Sequence, residues 1–141
     1  MTNDDFTIPA AYLDEGENQL DLTLREYLEI DASGLSKKTV QGRRKAIATF
    51  VEICENCGIF NLEQLADPAG LPALRTSLTQ AIKSSGLAAS TWEARISQFT
   101  KSVESAKMQS GDVARMRGAL RMALKDAGLS REREAEVTDE H

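Results

Sequence analysis

Between residues 20 and 127 the apolar side chains recur three and four positions apart, and no stretch of useful length alternates them with polar ones. The first spacing builds one face of an α-helix, and the second would build one face of a strand. The chain is thereby restricted to helices. At 141 residues, it is long enough for one domain with a core plus tails. Aromatic residues are only 5%, so aliphatic side chains must fill most of that core.

The pattern divides into segments. A first helix from Leu20 carries Leu20, Leu22, Leu24, Tyr27, Leu28 and Ile30, and it stops at Asp31-Ala32-Ser33-Gly34. A second opens at Ser36, whose hydroxyl can accept from a first-turn amide. Val40, Ile47, Phe50, Val51 and Cys54 form its apolar face, with Lys37, Lys38, Gln41, Arg44, Lys45 and Ala48 opposite, and Gly58 is a natural stop. Asn61 to Leu65 reads as a short helical turn ended by Asp67-Pro68. Leu71 to Ser84 is a third helix, with Leu74, Leu78, Ala81 and Ile82 inward, ended by Gly86. The fourth is expected from Ser90, with Glu93 completing a capping box, S-T-W-E, and with Trp92, Ile96, Phe99 and Val103 apolar. Asp112 is expected to cap a fifth, in which Val113, Met116, Leu120, Leu124 and Ala127 are apolar. Its Arg117, Arg121 and Lys125 fall at i, i+4 and i+8. The pattern predicts an all-α bundle of four to five helices.

The net charge is −5, but it is unevenly spread. Residues 1–36 hold one basic and nine acidic side chains, residues 37–126 fourteen and eight, and residues 127–141 two and five. A basic body between acidic ends points to contact with nucleic acid, or to acidic arms that compete with it.

Within that body one phrase occurs twice. GLSKKTVQGRRKAIATFVE runs from Gly34 to Glu52, and GLAASTWEARISQFTKSVE from Gly86 to Glu104, 52 residues later. Both have Thr five residues after the Gly, Arg four residues after the Thr, and Val-Glu at the end. A helix start exposes unpaired amides and the positive end of the dipole, where phosphate binds readily. The first copy adds Ser36, Lys37, Lys38, Thr39, Arg43 and Arg44, and the second adds Ser90, Thr91, Arg95 and Lys101. Spacing alone leaves two readings open: phosphate grips on duplex DNA, or plain caps with solvated cations.

The run LREYLEIDASGLSKKTVQGRRKAIATFVEICENCGI, the NLEQL turn and GLAASTWEARISQFTKSVESA together resemble the N-terminal core-binding domain of tyrosine recombinases and phage integrases, a SAM-like domain. The resemblance covers roughly residues 24–108 in order. It implies an orthogonal bundle that forms half of a clamp around DNA, with Lys37, Lys38, Thr39, Arg43 and Arg44 of the first copy and Ser90, Thr91, Arg95 and Lys101 of the second facing the duplex. The chain departs from the pattern at Arg43, where the family often has an aromatic, and at Ala88, where it often has Ser. The largest departure lies beyond Met108. A recombinase needs an Arg, Lys, His and Arg set and a Tyr nucleophile, and the remaining 33 residues contain no Tyr and only His141.

The expectation is therefore a non-catalytic protein with an acidic flexible arm (1–18), a core-binding-like domain (19–108), an additional helix (109–128) and an acidic flexible tail (129–141). No cofactor or metal is expected: Cys54 and Cys57 form a lone CxxC without a second ligand pair. The N-terminus lacks a hydrophobic segment and no apolar run has membrane-spanning length, so a cytoplasmic, nucleoid-associated location is expected. The expected partner is double-stranded DNA, with a bacterial or phage-derived role in transcription or site-specific recombination. The alternative is a protein-interaction module that docks on a recombinase or another DNA-bound protein, or forms a homodimer. It would do so through Val113, Met116, Arg117, Leu120, Arg121 and Leu124 of the last helix.

Overall fold

The computed structural model describes residues 18–129, so the expected arm and tail lie almost wholly outside the described residues. The helices are α1 (Gln19–Asp31), α2 (Lys37–Asn56), α3 (Leu62–Ala66), α4 (Leu71–Ser85), α5 (Ala89–Ser105) and α6 (Ser110–Asp126), with 3-10 turns at Ala32–Gly34 and Pro68–Gly70. No strand occurs among the described residues. The short turn expected near Asn61 is α3, capped by the Asn61 side chain, which accepts from the Gln64 amide at 2.8 Å.

Asn18 opens α1 by accepting from the Asp21 amide at 3.0 Å. Leu20, Leu24 and Leu28 then fall one turn apart and are buried. Leu22 and Ile30, expected on the same stripe, are 46% and 65% exposed. They lie two residues from a buried neighbour, and in a helix that spacing points to the other side.

In α2, Ser36 is the N-cap, and its hydroxyl accepts from the Thr39 amide at 3.1 Å. Gly58 ends it at φ +83. There the Ile59 amide donates to the Cys54 carbonyl at 2.9 Å and the Gly58 amide to the Glu55 carbonyl at 3.1 Å. That double return satisfies carbonyls the helix would leave open, and it needs a left-handed residue.

α2, α5, α6 and α4 each pack on the next and close a ring, with α1 laid against α2 and α5. The centre of the core is aromatic despite the low aromatic content. Phe50 of α2 stacks on Phe99 of α5 with centroids 4.7 Å apart, and meets Trp92 edge-on at 6.3 Å. Arg75 of α4 holds Asp126 at the end of α6 with two hydrogen bonds of 2.5 and 2.9 Å. That bond is the main reason the Asp126 carboxyl titrates below its ordinary value.

Three expectations are corrected. α5 begins at Ala89 with Ala88 as its N-cap, and no side chain caps it, so Ser90 lies inside the first turn and not before it. α6 begins at Ser110 with Gln109 as N-cap. Asp112 is therefore in the first turn, where it pairs with Arg115 and complements the helix dipole. Finally, Val113, Met116, Leu120 and Leu124 are at most 4% exposed and belong to the core. The apolar stripe once open to a docking or dimer reading is covered by the chain itself; only Arg117 and Arg121 of that set are exposed.

Candidate nucleic-acid interface

The two copies of the repeated phrase meet. The first half of α2 and the first three turns of α5 form the walls of one groove of about 630 Å³. α2 contributes Lys38, Thr39, Gly42 and Lys45, and α5 contributes Ser90, Thr91, Ala94, Arg95 and Gln98. Three pairs of equivalent positions, offset by 52 residues, share it: Lys38 with Ser90, Thr39 with Thr91, and Gly42 with Ala94. Three cations and three hydroxyl groups line the groove, and no carboxylate does among the described residues.

Periodicity explains the membership on α2. Residues 38, 42 and 45 stand at i, i+4 and i+7, which is one helix face. Gly42 faces Gln98 of α5 across this groove. A Cβ there would lie 3.7 Å from the Gln98 amide nitrogen, in ordinary contact. On α5, the Arg95 guanidinium lies 5.4 Å from the centroid of the Trp92 ring. That cation–π contact fixes a flexible side chain at the rim of the core. The Gln98 amide oxygen is buried without a hydrogen-bond partner among the described residues.

The entry to α5 has its own lock. Ser85 at the end of α4 accepts from the Leu87 amide at 3.1 Å and from the Trp92 ring nitrogen at 3.0 Å, and donates to the Ile82 carbonyl at 2.9 Å. Gly86, at φ +70, turns the chain between them. This hydroxyl positions the Gly-Leu-Ala approach that no N-cap side chain holds.

Of the ten residues expected to face DNA, the structure brings five together: Lys38, Thr39, Ser90, Thr91 and Arg95. Ser36 stands just ahead of them as the cap of α2, and Lys37 is exposed at the helix start without lining the groove. Arg43 turns toward the core side of α2, where its Nε is buried without a partner among the described residues. Arg44 reaches across to Glu29 of α1 at 3.5 Å. Lys101 lies beyond the groove, in a second one of about 210 Å³ between α5 and α6 that Arg117 and Arg121 also line. Gly42, Lys45, Ala94 and Gln98 were missed. The i, i+4, i+7 relation of Lys38, Gly42 and Lys45 was a signal for two of them; Ala94 and Gln98 required knowing that α5 packs on α2.

No family model matches the chain, and neither a curated protein nor a solved structure shows significant similarity to it. The chemistry of the groove therefore stands on its own residues. Lysine and arginine beside hydroxyls at helix starts are groups able to donate hydrogen bonds to phosphate oxygens. Among the described residues no three His, Cys, Asp or Glu side chains are placed to hold a metal ion, and no helix is long and apolar enough to cross a membrane. Cys54 is a buried free thiol whose burial pushes its pKa to about 12, and Cys57 is a half-buried free thiol raised mainly by the same cause. A thiol held protonated in the core is a packing residue, not a nucleophile.

Proposed function

We propose that this chain is a non-catalytic DNA-binding domain that grips the phosphates of a duplex with the groove between α2 and α5. The observation that carries the reading is the convergence of both copies of the repeated helix opening on one carboxylate-free groove with Lys38, Lys45 and Arg95. Phosphate contacts of this kind position a protein on DNA without reading sequence. The same reading makes the bundle a relative of the core-binding domain of tyrosine recombinases. Its role is then regulation of transcription or of site-specific recombination in a bacterial or phage setting, at the nucleoid.

The test is fluorescence anisotropy of a labelled random-sequence duplex, titrated with the full chain at several salt concentrations. The expected result is binding whose logarithm falls linearly with log salt, by about 0.9 per phosphate neutralised. Lys38→Ala with Lys45→Ala then flattens the slope by about two units. Absence of binding at low salt removes the proposal.

A further inference from the structure

We infer that α6 supplies a second row of phosphate contacts, so that α5 lies along the major groove of the duplex between the cations of α2 and those of α6. The inference rests on the DNA-binding reading above and extends it to a surface that reading does not use.

α5 is flanked by α2 on one side and α6 on the other. The groove on its second side is lined by Lys101 of α5 and by Arg117 and Arg121 of α6. Lys125 continues the row one turn further, and all four cations are exposed. Between the two grooves the outward crest of α5 runs Ser90, Ala94, Ser97, Lys101, each one exposed. Its first three members project little beyond the helix backbone.

The dimensions suit a duplex. A helix with its side chains is about 10–12 Å across, and the major groove is about 12 Å wide. Packed helices sit about 8–10 Å apart, so two rows on either side of α5 are separated by at most about 16–20 Å, and by less because the helices close a ring. A helix seated in the groove would then have one row beside each bounding phosphate strand. Single-stranded nucleic acid offers one backbone and would engage one row.

Glu93 and Glu104 also line the second groove. Both belong to α5, and they set two carboxylates against three cations there, whereas none lines the first. The α6 row is accordingly the weaker of the two.

The test uses the full chain and the same labelled duplex. Arg117→Ala with Arg121→Ala is expected to flatten the salt slope by up to about two units, with an unchanged thermal melt because both side chains are exposed. Arg117→Lys with Arg121→Lys is expected to keep the slope, since the slope counts the phosphates neutralised, by lysine as by arginine. A single strand of equal length is expected to lose nothing when the two arginines become alanine. An unchanged duplex slope in the alanine variant, alongside a flattened slope in Lys38→Ala with Lys45→Ala, overturns the α6 row and leaves the first groove standing. Loss of slope on the single strand equal to that on the duplex also overturns it. No salt-dependent binding by the unaltered chain overturns both proposals.

Discussion

α2 has residues suited to both of its ends, whereas α5 has no capping side chain at its start and no glycine in the left-handed turn at its finish. At the start, Ser36 caps α2 through its hydroxyl, while the equivalent position before α5 is Ala88. At the finish, Gly58 takes the left-handed turn after α2, while Lys107 must take it after α5, at φ +75. A side chain with a Cβ adopts that backbone at a cost of roughly 1–2 kcal/mol. What α5 lacks in caps it has in burial. Ala89, Trp92, Ile96, Phe99, Thr100, Ser102 and Val103 are all buried, and the helix packs on α1, α2 and α6. Trp92 is 2% exposed, whereas its equivalent Val40 is half-buried against the edge of the core. One sequence phrase thus yields two well-packed helices, of which only the first also has residues matched to both of its ends. Helices in proteins are stabilised mainly by tertiary packing, and the second copy shows how far local signals can be relaxed when packing is good.

The largest effect that could break this comparison is in the core. Trp92→Ala is expected to cost about 3–5 kcal/mol, as for other large buried aromatics, and Val40→Ala about 1 kcal/mol. Urea denaturation measures both, and equal losses would mean that packing does not distinguish the copies. Next come the two arginines that share a place in the phrase. Arg95→Ala is expected to flatten the salt slope of DNA binding by about one unit, while Arg43→Ala leaves it unchanged, because Arg43 is turned to the core side. The helix ends are third in size. Ser36→Ala should lower stability by about 0.5–2 kcal/mol, whereas Ala88→Ser and Lys107→Gly should each raise it by about 1 kcal/mol. If Ala88→Ser changes nothing in a thermal melt, the Ser85 lock already does the work of a cap.

The last effect appears only at alkaline pH. Cys54 in the first copy corresponds to Ala106 in the second, and both are buried. The thiol is held at about 12 against an ordinary value of 9.0. Its proton is therefore kept on folding and lost from the unfolded chain as pH passes 9. Stability is full below that point and falls between there and about pH 12. Cys54→Ala should flatten this part of the urea-midpoint profile, and an unaltered profile would assign the fall to other groups.

The helices were legible because glycines punctuate them and leucines mark their inner faces. Ser36 and Gly58 were readable as ends for the reason that they are real local stops. The start of α5 was not readable, because alanine carries no capping signal and S-T-W-E offered a better-looking start two residues late. Asp112 misled in the same way, as an acid that suits the first turn as well as the cap. Leu22 and Ile30 misled because leucine and isoleucine are apolar on either face. The groove was half legible. Helical spacing could group Lys38 with Lys45, but Arg43 and Lys101 could be sorted only once α1, α2, α5 and α6 were in contact. Which face of a helix meets water is a property of its neighbours.

The central claim is that two helix starts, 52 residues apart in the chain, act as one phosphate site. Backbone amide NMR of the full chain, titrated with a short random-sequence duplex at low salt, tests it most directly. The account predicts that amides of residues 38–45 and 90–98 shift together along one binding curve, while those of α4 and the second half of α2 stay in place. Shifts confined to one of the two helices, or centred on another face of the bundle, would contradict it.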